Sequence, residues 1–420
     1  MNRYQPKVLV AQLGARKHYQ EPVVFYNWQV LDGLYTDIYS GHSKALHILR
    51  NPLLCKYKIT PKIVNKFLDR FDAELKGARV IQFPLFAYLY VHKLSNTLPQ
   101  DLSKIFIWAG QKFCQKIINY GLGNANTIYG FNSSCLELFE YAKKRGMRCI
   151  LDQTLAERSL VNKLLLEEEK QWQGWSLSPF TASEFDLKLL EREKQEQELA
   201  DQIVCASEFV KASLIEAGVQ ANKITVIALG RLKNNSSHRI IERQIPQERG
   251  DCLRILFVGA VGLRKGIPYL LEALRQIKGL IPFTCKIVGT LDIQFQIIAE
   301  YRDVCDFVGQ VPRSQMEVIY KWADVFVLPS ICEGSAMVTY EALKWGLPII
   351  TTANSGSIVR DGIDGYIVPI RSSDTLANKL VNAYKTLSTF WIDNNSRQNN
   401  FNKLSQLNKN KLFKLIHDAI

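Results

Sequence analysis

The sequence predicts an α/β protein built from two doubly wound, Rossmann-like domains that face a cleft. Three observations carry this. Short apolar runs of strand length alternate with amphipathic segments of helix length. The alternation stops in a polar stretch, 234–251, and then starts again. Several apolar runs end in a glycine-bearing loop that opens directly into a helical pattern, the usual junction of a parallel sheet.

The first strand is Lys7-Val8-Leu9-Val10-Ala11-Gln12-Leu13, ending at Gly14. A glycine there lets the backbone approach a ligand closely, so Gly14 is a candidate site residue. Arg16, Lys17 and His18 read as solvated loop side chains. Two Lys-rich, Leu/Ile-rich stretches follow, Lys44 to Arg70 and Lys93 to Tyr120. Both read as amphipathic helices. Either their basic faces are simply solvated, or they dock on an anionic membrane surface.

Asn126–Phe131, Cys135–Gly146 and Cys149–Asp152 form a strand–helix–strand unit. Asp152-Gln153-Thr154 would face the cleft, and Arg158 is a candidate cleft cation. Leu164 to Leu199 reads as one long charged helical region. Ile203–Ala206 is a strand, and Ser207 caps the next helix. The domains are therefore placed at 1–230 and 252–389, with a linker at 231–251 and a tail over about 390–420 that carries a weak helical period.

The second domain opens with the strand Leu253–Gly259. A basic glycine loop, Ala260-Val261-Gly262-Leu263-Arg264-Lys265-Gly266, leads into a helix with Pro268 in its first turn. Further on, Asp324–Leu328 is a buried strand. Pro329-Ser330-Ile331-Cys332-Glu333-Gly334-Ser335-Ala336 is a tight loop, and Met337-Val338-Thr339-Tyr340-Glu341-Ala342 begins a helix that stops at Gly346. A helix N-terminus carries free N–H groups and a partial positive charge, which suits a phosphate. Glu333 and Glu341 flank its first turns. Carboxylates on either side of a phosphate site fit a ligand with phosphate in the middle and hydroxylated rings at both ends, a nucleotide-sugar.

The 420 residues suffice for two cores. An apolar content of 47% and a charged content of 22% fit a globular chain. No apolar run reaches the ~18 residues of a membrane span, so the chain is expected in the cytoplasm, either free or peripheral on the membrane face. The nine cysteines are scattered without C-x-x-C pairs, and Cys149, Cys205 and Cys285 sit in apolar runs. They read as buried thiols, not as disulfides or zinc ligands. The net charge of +13 favours an anionic partner. No zinc finger or Arg-rich block supports nucleic acid. The absence of G-x-G-x-x-G argues against a dinucleotide-dependent dehydrogenase.

Pro329-Ser330, Glu333, Glu341-Ala342 and Gly346-Leu347-Pro348-Ile349 together resemble the signature of the retaining glycosyltransferases of family four, the glycosyl transferases group 1, which have the GT-B fold. The resemblance is strong over about 200–370 and holds only in outline before that. It implies a nucleotide-diphosphate-sugar donor, a glycan or lipid-linked acceptor, retained anomeric configuration, neither metal nor cofactor, and a last helix over about 390–420 that packs back on the first domain. It assigns Lys265 to the donor diphosphate and Glu333 to the sugar as catalytic residues. Arg264, Gly334, Ser335, Ala336, Met337, Val338 and Glu341 complete the donor site, with Gly14 nearby. The family commonly has an arginine just after the strand glycine, where this chain has Ala260, and Arg264 is the candidate replacement. A phosphorylase, a nucleotide-sugar epimerase and a non-catalytic binding protein of the same fold are the alternatives.

Overall fold

The computed structural model of the chain describes residues 5–42, 70–228, 252–391 and 394–417. The expected linker at 231–251 and nearly all of the Lys44–Arg70 stretch lie outside the described residues.

Two all-parallel sheets form, one in each predicted domain. The first contains β1 (Val8–Gln12), β2 (Leu31–Thr36), β3 (Val80–Gln82), β4 (Thr127–Phe131), β5 (Arg148–Gln153), β6 (Gln202–Cys205) and β7 (Ile224–Val226), in the order β3-β2-β1-β4-β5-β6-β7. The second contains β8 (Leu253–Val258), β9 (Phe283–Val288), β10 (Asp306–Gly309), β11 (Val325–Leu328), β12 (Ile349–Thr352) and β13 (Gly365–Val368), in the order β10-β9-β8-β11-β12-β13. In each sheet the chain winds outward one way, returns, and winds outward the other way. The turning points fall between β1 and β4 and between β8 and β11. Ligands of open parallel sheets bind outside the strand ends at such points. The doubly wound, two-domain expectation is thus met.

The strands are apolar on both faces because helices cover both. On β1, Leu9 and Ala11 enter one core and Val8 and Val10 the other, as the two-residue period of a strand requires. The first core packs α2 (Pro84–Ser95), α3 (Leu102–Tyr120), α4 (Leu136–Lys143) and α7 (Glu208–Glu216) against the sheet. The second packs α1 (Gln20–Asn27) and the C-terminal helix α13 (Asn394–His417). Leu412, Leu415 and Ile416 of α13 are buried there. Asn408 Nδ2 donates to the Ala228 carbonyl (2.9 Å), and Arg148 donates to the Leu415 carbonyl (2.8 Å).

The expected single helix over 164–199 is two, α5 (Arg158–Gln171) and α6 (Glu184–Leu199). Ser183 starts α6 with a reciprocal capping box to Asp186. The Lys93–Tyr120 stretch also divides, its front belonging to α2. The apolar stripe of α3 (Ile105, Ala109, Phe113, Ile117) is core, so α3 has no apolar face left for a membrane. Cys149, Cys205 and Cys285 are buried, and burial pushes the first two thiols up to about 12. The described cysteines are all free thiols.

In the second domain α8 (Ile267–Ile277), α9 (Phe295–Glu300), α10 (Met316–Trp322), α11 (Met337–Lys344) and α12 (Ser373–Trp391) surround the sheet. Its core also takes in Trp175 from the first half of the chain. The segment after α5 is pinned there: Gln294 N donates to the Trp175 carbonyl (2.7 Å) and Leu177 N to the Asp292 carbonyl (3.3 Å).

Candidate active site

Strands β8 and β11 are neighbours, so the loops that follow them lie side by side at the turning point of the second sheet. The β8 loop carries Arg264 and Lys265; the β11 loop carries Glu333. Two contacts lock the loops together. Ile331 N donates to the Arg264 carbonyl (2.9 Å). Gly266 takes a left-handed φ of 67°, and any Cβ there would overlap the Pro329 carbonyl.

This fit brings Lys265 Nζ to 2.8 Å from Glu333 Oε1, with both residues only 9% exposed. Arg264 lies at 3.5 Å from the same oxygen and is half-buried. Although the ammonium is close, Glu333 Oε1 accepts no aligned hydrogen bond. The contact is a charge pair whose directional bonding capacity is unused. Ala260, where the usual arginine is missing, is exposed beyond the end of β8. Arg264 supplies a guanidinium to the site from the other end of the same loop.

Helix α11 begins beyond Glu333. Its N-cap is Ala336, whose methyl group cannot cap. The amides of Met337 and Val338 therefore open the helix with no intrahelical carbonyl one turn behind them. The Ala336 amide, by contrast, is spent on the Ser355 carbonyl (3.0 Å). The Ser335 hydroxyl donates to the Gly356 carbonyl (3.0 Å). These two belong to the scaffold of the loop. Glu341 is half-buried on α11, where the Tyr320 hydroxyl donates to its Oε2 (2.9 Å) and so fixes its direction. Burial first, and then the Glu341 carboxylate, hold that phenol far above its ordinary range.

Three residues hold the β11 loop through contacts that the sequence reading did not assign to them. The Asn354 carbonyl accepts from Glu333 N (2.9 Å), and Asn354 Nδ2 donates to the Ile331 carbonyl (2.8 Å). From the first domain, Ser207 Oγ donates to the Gly334 carbonyl (2.6 Å) while capping α7 through Val210 N. The Thr154 carbonyl lies where a Cβ on residue 334 would be, so only glycine fits against the first domain. A second bridge stands behind the site. Tyr269 OH donates to Glu168 Oε2 (2.9 Å), Trp172 Nε1 donates to Tyr269 OH (3.0 Å), and Arg371 pairs with Glu168 (2.5 Å) and Glu167 (2.9 Å).

On the opposite wall, Gly14 has a φ of 82° and its amide donates to Asp37 Oδ1 (3.0 Å). Arg16 donates to the Asn132 carbonyl (3.1 Å), joining the loops after β1 and β4 at the turning point of the first sheet. Two sequence expectations fail here. Lys17 is not a solvated loop residue: its ammonium is buried between Asp152 (2.5 Å) and Glu21 (3.2 Å), and Tyr129 OH also donates to Asp152 (2.6 Å). Arg158 is not a free cleft cation, because both its Nε and a terminal nitrogen are bound by Glu193 (2.8 and 2.7 Å). Among the described residues no cluster of His, Cys, Asp and Glu could hold a metal ion.

The architecture and site define the class: two Rossmann-like domains of the GT-B arrangement, with a basic loop and an acidic loop meeting at the turning point of the second sheet. Residues 252–386 match the family glycosyl transferases group 1. Among curated proteins, the putative colanic acid biosynthesis glycosyltransferase WcaL of Salmonella typhimurium is 28% identical over 198 residues, 43% of this chain and 47% of that protein. The amylovoran biosynthesis glycosyltransferase AmsK of Erwinia amylovora is 26% identical over 238 residues, 52% of this chain and 57% of that protein. The chain thus spans about half the length of the curated relatives it matches. The fold is shared with sucrose-phosphate synthase of Thermosynechococcus elongatus (TM-score 0.64, 17% identity, 99% of this chain and 100% of that one). It is shared also with Anabaena HepE, solved with UDP and glucose (TM-score 0.54, 14% identity, 97% and 100%).

Proposed function

We propose that the protein is a retaining glycosyltransferase that moves a sugar from a nucleoside-diphosphate donor to a glycan or lipid-linked acceptor in polysaccharide or glycolipid synthesis. The observation that supports it most is the meeting of Lys265 and Glu333 at 2.8 Å beside the uncapped start of α11. Breaking the anomeric C–O bond puts negative charge on the leaving diphosphate while the sugar becomes cationic. In this reading Lys265, Arg264 and the amides of Met337 and Val338 serve as donors to the diphosphate, and preorganised donors of this kind stabilise the leaving group without reorganisation. Glu333 takes the sugar hydroxyls and fixes the ring. Glu341, oriented by Tyr320, takes the ribose hydroxyls. The reaction needs no metal in this reading, since the cationic groups of the chain do that work. The biosynthetic setting is supported by the polysaccharide names of the relatives.

The test is to incubate the purified chain with a panel of nucleoside-diphosphate sugars, with and without acceptor extracts, and to follow nucleoside diphosphate release. The expected result is acceptor-dependent release unchanged by EDTA, with a product of unaltered anomeric configuration by NMR. Conversion of the donor to another sugar nucleotide without acceptor would mean an epimerase. A requirement for inorganic phosphate would mean a phosphorylase.

A further inference from the structure

Behind the Lys265–Glu333 pair lies a small core built from both domains. Leu164 of α5, Tyr269 of α8, and Ile331 and Cys332 of the β11 loop are buried together in it. Leu160, Leu164, Glu168 and Trp172 recur every four residues, so they line one side of α5 and the turn just past it. The same helix packs against Leu263–Lys265, the turn that carries the two cations of the β8 loop.

Helix α5 is tied to a different domain at each end. At its start Glu193 of α6 binds Arg158, and Glu157 N donates to Ser213 Oγ of α7 (2.9 Å). At its far end the partners come from the second domain. Trp172 Nε1 donates to Tyr269 OH, and the two rings meet edge to face with centroids 5.5 Å apart. Arg371, in the loop after β13, closes over Glu167 and Glu168 and reaches the Leu164 carbonyl (3.4 Å). Arg371 does so with a left-handed φ of 62°, a costly conformation for a residue other than glycine. Backbone strain of this kind persists only where the contacts around it fix it.

Glu168 is the centre of this junction. It is fully buried, and both of its oxygens are used: Oε1 takes the Arg371 guanidinium and Oε2 the Tyr269 hydroxyl. A carboxylate taken out of water needs such partners, and here neither belongs to its own domain. Tyr269 stands one turn after Lys265, and its amide donates to the Gly266 carbonyl (3.1 Å). Its ring shares the small core with Ile331 and Cys332, the two residues before Glu333. One side chain thus touches the base of both loops while its hydroxyl is held by the first domain.

We infer that α5 holds the β8 and β11 loops at the spacing that joins Lys265 to Glu333, and that Glu168 and Tyr269 are positioning residues of that pair. Neither touches the proposed donor; both act through the loops. That the loops receive a donor rests on the glycosyl-transfer reading, whereas their dependence on α5 does not.

The experiment is hydrogen–deuterium exchange on the full chain, with Tyr269→Phe, Glu168→Leu and Glu168→Gln, followed by calorimetric titration of UDP, GDP and ADP. Tyr269→Phe keeps the ring and removes only the hydroxyl. Glu168→Gln keeps an oxygen for that hydroxyl and serves as the conservative rescue. In Tyr269→Phe and Glu168→Leu, amides in 259–266 and 329–336 are expected to exchange at least about fivefold faster, the worth of one ordinary hydrogen bond. The strands β8 and β11 keep their protection, and Glu168→Gln restores most of the protection of the loops. The nucleoside diphosphate that the wild type binds is expected to lose about tenfold in affinity in the same two variants. Unchanged exchange of both loops in both variants would overturn the inference. So would protection lost evenly across the second domain, which would make the junction merely structural. If the loops loosen as described but the wild type binds no nucleoside diphosphate, the positioning stands and the glycosyl-transfer reading falls.

Discussion

Lys265 Nζ stands 2.8 Å from Glu333 Oε1, and the two groups come from loops on opposite sides of the turning point between β8 and β11. Each satisfies the charge of the other without an aligned hydrogen bond. In the proposed reading, a donor entering between the loops takes the ammonium on its diphosphate and the carboxylate on its sugar hydroxyls.

In the proposed reaction, Lys265→Ala removes a donor to the leaving group. Its turnover is expected to fall by about a hundred- to a thousand-fold, the usual effect of losing one such donor. Nucleoside diphosphate release under saturating donor measures it. A thermal melt is the control, because Glu333 loses its closest cation and only Arg264, at 3.5 Å, remains.

Glu333→Gln acts differently. It keeps the shape and removes a negative charge beside the proposed diphosphate position. Affinity for the free nucleoside diphosphate is expected to hold or rise, while kcat/KM with donor sugar falls about ten- to a hundred-fold, the worth of hydrogen bonds to a charged group. Calorimetry and steady-state kinetics on the same preparation separate the two effects.

Glu341→Ala removes the carboxylate that Tyr320 orients. The wild type is expected to prefer a ribonucleoside diphosphate over its dideoxyribose analogue by about tenfold or more, and the variant to bind both alike. Equal binding by the wild type would remove Glu341 from the ribose.

Gly334→Ala pushes a methyl group into the Thr154 carbonyl of the other domain. Overpacking of this kind costs about 1–3 kcal/mol. Here the strain can be relieved by parting the domains. The expected outcome is loss of activity and a larger radius of gyration by small-angle scattering, with the circular dichroism of both domains kept.

Lys17→Met leaves Asp152 and Glu21 buried without their cation and is expected to cost about 3–5 kcal/mol in urea unfolding. Adding Asp152→Asn should return part of it. Burial alone would pull the Lys17 ammonium down, but Asp152 and Glu21 outweigh it and hold the group above its ordinary value. A raised lysine contributes stability that is fully present below its unfolded value of about 10.4 and is lost as pH climbs through the folded value. The difference between wild type and variant should therefore be constant from about pH 7 to 10 and shrink only above that.

What was legible in the sequence is what is local. Strand, glycine loop and helix are contiguous at 253–277 and 325–344, so Lys265, Glu333, Glu341 and the start of α11 could be placed from spacing alone. That β8 and β11 are neighbours is a matter of sheet order, which the sequence reading did not assign. Contacts between distant segments left no such mark. Ser207 announced itself as a helix cap, and nothing in the sequence says that its hydroxyl also reaches the Gly334 carbonyl 127 residues away. Lys17 and Arg158 looked like free cations because their carboxylate partners, Asp152 and Glu193, lie 135 and 35 residues along the chain. The break between α5 and α6 was hidden because Trp172 and Trp175 fit a helical pattern, while their rings are claimed by Tyr269 and Tyr301 of the second domain.

The central claim is that the Lys265–Glu333 pair marks a nucleoside-diphosphate site. Titrating UDP, GDP, ADP and the corresponding monophosphates into wild type and Lys265→Ala by calorimetry tests it most directly. The account predicts that one diphosphate binds the wild type more tightly than its monophosphate and loses at least tenfold in affinity in the variant. Binding that ignores the second phosphate, or that survives unchanged without Lys265, would contradict it.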